Sequence, residues 1–232
     1  MKPVFKLVFL LTSLTMVALL SSCHRYYTAP DFDAITANHK TVAVLPFKMV
    51  LTGRLPNDWT EERKEKIETL ESEAFQRSFL NEIYRSTRNG KKNFKVNFQN
   101  VDKTNALLKE NNIDVRESWY KDPQELAQLL GVDAVVRAEV RKHRYLSNWE
   151  SLAIDWADDI LAAALGTGTI LPWNATKTND VDISLTVVEN ENGTVLFNAS
   201  RTCQVDWRQP ANDAIDGINR SIAKAFPYRA NK

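Results

Sequence analysis

The 232-residue chain is short of several things, and each shortage removes a class of explanation. It has two cysteines, at positions 23 and 203, so no disulfide framework holds it together. It has three histidines, His24, His39 and His143, spread along the chain and without a zinc-ligand spacing. No Gly-x-Ser-x-Gly step marks a nucleophile, and Gly166-Thr167-Gly168 lacks the lysine and the spacing of a phosphate loop. Charge of one sign is missing too. Apart from Lys2 and Lys6, 28 basic and 29 acidic side chains nearly cancel, which argues against a nucleic-acid partner. The longest apolar run, Leu7 to Leu20, is shorter than the roughly 18 residues a membrane span needs.

What is present begins with that run. Lys2 and Lys6 precede it, and Leu20-Ser21-Ser22-Cys23 closes it. A basic start, a short apolar core and a small-residue exit describe a secretory signal. The last four residues resemble the lipobox of bacterial lipoproteins, in which cleavage before the cysteine is followed by its acylation. The resemblance implies a signal over residues 1–22 and acyl chains on Cys23. His24 stands where an acid would favour inner-membrane retention, so the outer membrane is implied, with the protein facing the periplasm. In a bacterial chain the sequons at Asn174, Asn192 and Asn198 carry no weight.

Residues 23–40 read as a tether, polar and without an apolar period, long enough for a coil of roughly 20–25 Å. A single α/β domain over 41–228 follows, with an insert at about 146–179. Thr41 to Phe47 is apolar at both parities, as a strand buried on both faces would be. Residues 48–59 read as a polar loop. Thr60 caps a long helix to about Thr87, whose stripe is Ile67, Leu70, Ala74, Phe75, Phe79 and Ile83. Asn89-Gly90 ends it. A short strand near Phe94–Phe98 and a helix from Asp102 to Glu110 come next. Asp122-Pro123-Gln124-Glu125 is a helix start, and Gly131 a helix stop. Val132 to Val140 is a strand. Val181 to Val188 and Thr194 to Trp207 form a hairpin about Asn192-Gly193. Ile215, Ile218, Ile222 and Ala225 line a last helix before Pro227. The expected fold is α/β (α+β): a mixed sheet with a C-terminal hairpin and helices mainly on one face.

Three segments carry a second resemblance: His39 to Phe47, Leu129 to Val140, and Asp182 to Val188 running on to Asn192-Gly193-Thr194-Val195-Leu196. Together they resemble the α/β domain shared by the curli-secretion protein CsgG, the penicillin-binding-protein activator LpoB and the amino-terminal domain of TolB. The likeness covers roughly residues 39–145 and 180–228, and Ala138 departs from it where glycine is favoured. It implies a non-catalytic domain that touches other envelope proteins.

The stretch outside that likeness is the candidate contact surface. Trp149, Leu152, Trp156, Ile160, Leu161, Leu165, Ile170, Leu171 and Trp173 place three of the six tryptophans in one segment. Its helical stripe can cover the sheet, meet another protein or a second copy, or lie at a membrane interface. Asp155, Asp158 and Asp159 read as its solvated side rather than a metal site. Cys203 reads as a small buried hydrophobe. No cofactor or metal is implied. The functional expectation is a lipid-anchored envelope adaptor without enzymatic activity. Its partners are the membrane, through the acyl chains, and other envelope proteins or copies of itself. The alternative is a homo-oligomeric secretion pore or ring of the curli type.

Overall fold

The computed structural model describes residues 26–52, 60–87, 93–143, 178–206 and 211–230. They build one mixed seven-stranded sheet with helices on it. The strands are β1 (Tyr26–Thr28), β2 (Thr41–Val44), β3 (Lys48–Thr52), β4 (Asn97–Phe98), β5 (Ala134–His143), β6 (Thr178–Glu189) and β7 (Val195–Asp206). The helices are α1 (Phe32–Ile35), α2 (Glu61–Thr87), α3 (Val101–Glu110), α4 (Val115–Ser118), α5 (Pro123–Leu130) and α6 (Ala211–Ala223). Strand order is β1-β7-β6-β5-β2-β4, and β3 continues the β2 side of β5. Beside β5, β2 and β3 run parallel, while β6, β7 and β1 are antiparallel in turn.

The local signals form what their chemistry calls for. Thr60 Oγ1 accepts from the Arg63 N–H at the head of α2 (3.2 Å). Asp122 caps α5 by accepting from the N–H groups of Gln124 and Glu125, with Pro123 in the first turn. Gly131 ends α5 at φ 63°, where a side chain would be strained. The β6–β7 hairpin turns through Gly193 at φ 67°. The Glu189 carboxylate, itself buried, accepts from the N–H groups of Glu191 and Asn192.

Strand parity divides the core. Val42, Val44, Ala134, Val136, Ala138, Val140, Val181, Ile183, Leu185 and Val187 face the two large helices, α2 and α6. Phe75, Phe79, Ile83, Ile215, Ile218 and Ile222 meet them there, and Phe226 and Tyr228 close one end. Ala43, Leu45, Val135 and Val188 face the other way, under Leu126, Ala127 and Leu130 of α5 and Leu108 of α3. The large helices thus share one face, and α3 and α5 cover one corner of the other. Of the expected α2 stripe, Leu70 and Ala74 are half-buried rather than buried.

Two segments differ from expectation. Residues 26–40 do not hang free. β1 pairs with β7, Ala29 donates its N–H to Leu196 O (2.9 Å), and Ala29 and Phe32 are buried in the main core. The tether expected over 23–40 is therefore domain over its last fifteen residues. Its apolar side chains are few, but they are spent on long-range contacts that no local period reveals. Residues 48–52, expected as loop, are β3, in register with Glu139–His143. Pro46 interrupts the ladder, because it has no N–H to give, and pairing resumes beyond it. The stop expected at Asn89-Gly90 lies outside the described residues.

Candidate functional site

The sequence-predicted site residues lie outside the described residues. That holds for Cys23 and for Trp149, Leu152, Trp156, Ile160, Leu161, Leu165, Ile170, Leu171 and Trp173. Only the attachment of the insert is fixed: it joins His143 of β5 to Thr178 of β6, neighbouring strands whose register pairs His143 with Asp180. Among the described residues no helix is long and apolar enough to cross a membrane.

The described residues present a different surface, which follows from the same parity that builds the core. On β5, β6 and β7 the side chains opposite α2 and α6 are Arg137, Glu139 and Arg141, then Asp182, Ser184 and Thr186, then Asn198, Ser200 and Thr202. Lys48 of β3 and Tyr27 of β1 extend this row at either side. Beyond the corner that α3, α4 and α5 cover, no described helix lies over it. The groups hold one another in a ladder. Thr202 Oγ1 donates to Asp182 (2.6 Å), and Asn198 Nδ2 donates to Thr186 Oγ1 (2.9 Å). Lys48 and Arg141 both reach Glu139, at 3.3 and 2.7 Å, and the Lys48 ammonium lies over the exposed Tyr120 ring. Burial alone would raise the Glu139 pKa, but these donors hold it below the ordinary carboxylate value. Arg137 is half-buried and donates to the Ser118 and Lys121 carbonyls, and burial lowers its pKa. The face is a polar platform on which Asn198, Thr186, Thr202, Asp182, Glu139, Arg141 and Arg137 are held by hydrogen bonds, with exposed Ser184 and Ser200 between them.

At the edge of this platform, β1 carries two exposed tyrosines. Tyr26 stacks on Phe197, with ring centroids 6.4 Å apart, and Tyr27 projects from the polar side.

Titratable groups elsewhere are engaged in structure. His39 Nδ1 and the buried Tyr228 hydroxyl are hydrogen-bonded at 2.8 Å, and the rings stack. Burial lowers the His39 pKa against the pull of Asp133, Glu189 and Glu191, and burial raises that of Tyr228. Asp133 accepts from the Lys40 and Thr41 N–H groups, both at 2.7 Å. On α2, buried Glu68 faces Arg116, Glu71 faces Lys142, and Glu82 faces Arg85 and Arg220. Cys203 is half-buried against the core, its Sγ 3.8 Å from Ser221 Oγ. No group of three or more His, Cys, Asp or Glu among the described residues is placed to hold a metal. Sequence reasoning missed the platform as a site, although the alternation of Asp182, Ser184 and Thr186 signalled it.

No family model matches the chain, and no curated protein matches it. Among solved structures it is similar to the PelC dodecamer from Paraburkholderia phytofirmans, at 12% identity over 89% of this chain and 98% of that one, with a TM-score of 0.43. Lipoprotein GNA1162 from Neisseria meningitidis is similar at 10% identity over 80% of this chain and 96% of that one, TM-score 0.40. The LpoB C-terminal domain from Salmonella enterica is similar at 10% identity over 76% and 94%, TM-score 0.36. At such values the likeness assigns no activity and no partner to this chain.

Proposed function

We propose that the protein is a lipid-anchored adaptor of the bacterial cell envelope, without catalytic activity, that works by protein–protein contact. Acyl chains on Cys23 hold the domain at the outer membrane, on its periplasmic side. Confinement to a surface raises the effective concentration of the domain for any partner in that membrane. The observation that carries the contact role is the polar platform on β5, β6 and β7. Most of its charged and amide groups are held by neighbours, so a partner that matches them meets a largely preorganised surface. Its lack of an apolar centre suits a reversible contact rather than an obligate interface.

Photo-crosslinking in cells tests this reading. A photoreactive residue at Ser184 or Ser200, on the platform, is expected to give discrete adducts with other envelope proteins. The same residue at Lys103, exposed on α3, is expected to give none. Adducts only at Lys103, or turnover of a substrate by the purified chain, would overturn the reading. Adducts between copies alone, with one large discrete mass in mild detergent, would favour the ring instead.

A further inference from the structure

We propose that the β1–β7 edge of the sheet lies against the bilayer, with Tyr26 and Tyr27 in its headgroup layer and β4 turned away from it. The inference rests on acylation of Cys23. Reach rules out a domain standing on either end of its strands. Cys23 precedes Tyr26 by three residues, so their Cα atoms are at most about 11 Å apart, whatever the path between them. Tyr26 pairs with Ala199, partway along a strand that runs on to Asp206. The end of β7 therefore lies roughly 23 Å beyond that pair. A domain standing on that end would hold Tyr26 about twice as far from the membrane as the leash allows. The opposite end, with the Asn190–Gly193 turn, lies away from the side on which the chain enters β1, since Thr28 and not Tyr26 is the residue nearer that turn. Laying the sheet on its β1 edge satisfies the leash at once.

The surface of that edge fits the same orientation. Five large hydrophobic side chains stand out as exposed among the described residues, and three are here: Tyr26 at 62%, Tyr27 at 51% and Val195 at 41%. Neighbours along a strand point to opposite faces, so the two tyrosine rings straddle the edge. Tyrosine, apolar in body and polar at its tip, is enriched at the level of lipid headgroups. β1 and residues 195–203 themselves contain Arg201 and no acid; the exposed acids nearby are Asp182, which Thr202 bonds, and Asp31 and Asp33, which follow β1. Among the described residues nothing pairs with the outer side of β1, so its outer backbone groups call for water or headgroup partners, which limits the contact to the headgroup layer.

The test uses the full acylated chain in vesicles of phosphatidylethanolamine and phosphatidylglycerol bearing a headgroup nitroxide. In a Cys203→Ser background, a fluorophore is placed at Ser200→Cys, exposed on β7, or at Asn97→Cys, exposed on β4. The two strands are four spacings apart, about 19 Å, so quenching at Ser200 is expected to exceed that at Asn97 by roughly threefold or more. Tyr26→Ser with Tyr27→Ser is expected to lower the Ser200 quenching while the chain stays bound. Equal quenching at both sites overturns the orientation. So does stronger quenching at Glu62→Cys, in the first turn of α2, than at Ser200. An unquenched Ser200 in a chain that is dimeric by mass places a second copy on the edge, and also overturns it. A chain that fails to sediment with vesicles and whose Cys23 is unmodified by mass spectrometry overturns the anchor itself, a failure distinct from the others.

Discussion

Replacing Phe32 with alanine separates a folded amino-terminal segment from a tether. Phe32 is 7% exposed, and its ring meets Tyr228 edge-on at 5.2 Å and 68°. Its carbonyl accepts from the buried Thr36 hydroxyl at 2.7 Å, so α1 is fixed to the turn that leads into β2. Removing a buried phenyl ring costs the transfer energy of its carbons plus that of the cavity left behind. The segment is at the margin of the core and can partly collapse, so the expected loss is near the low end, about 3 kcal/mol. Part of that is the aromatic pair with Tyr228, about 1 kcal/mol. For a domain of this size the loss corresponds to roughly 6–12 °C in Tm. Urea unfolding of an unacylated Cys23→Ser chain, with and without Phe32→Ala, measures it directly. Tyr27→Ala serves as control, because half of that side chain is already in water. A Phe32→Ala effect below about 0.5 kcal/mol would refute the docking of residues 26–40 and restore the tether.

Other perturbations follow from single contacts. Asp122→Ala removes the acceptor for two N–H groups at the head of α5 and is expected to lower stability by about 1 kcal/mol in the same urea assay. Gly193→Ala sets a side chain at φ 67° and 2.8 Å from the Gln124 carboxamide oxygen. Gln124→Ala removes the clash but not the strain, so in thermal unfolding the double variant should recover only part of the loss of about 1 kcal/mol. His39 is held below its ordinary value of 6.5 in the folded protein, so the unfolded chain takes up the proton first. Its stabilisation is present above pH 6.5 and is lost as pH falls through the folded value. His39→Gln should flatten that part of a stability-against-pH curve, and an unchanged curve would disprove the assignment.

Much of the fold was legible because its signals are local. The cap at Asp122, the stop at Gly131, the Asn192-Gly193 hairpin and the alternation along β6 each depend on residues within a few positions of one another. What was not legible depends on distant partners. β1 is only Tyr26-Tyr27-Thr28, too short for a period, and it is made a strand by Phe197 to Ala199. β3 follows a proline that reads as a stop and pairs with residues about 90 positions away. The acids on α2 fall outside its apolar stripe. Glu68, Glu71 and Glu82 are buried all the same, because Arg116, Lys142 and Arg220 come from other elements to meet them. The candidate surface divides the same way. The platform was written in the polar parity of β6, but its width needed the pairing of β3, β5, β6, β7 and β1.

The fatty-acyl leash underlies both the contact role and the orientation, and cell fractionation of Cys23→Ala tests it most directly. The native chain is expected in the membrane fraction, released by detergent and not by salt, while Cys23→Ala is recovered as soluble, folded protein in the periplasm. A Cys23→Ala chain that stays in the membrane fraction, or a native chain found free in solution, would contradict it.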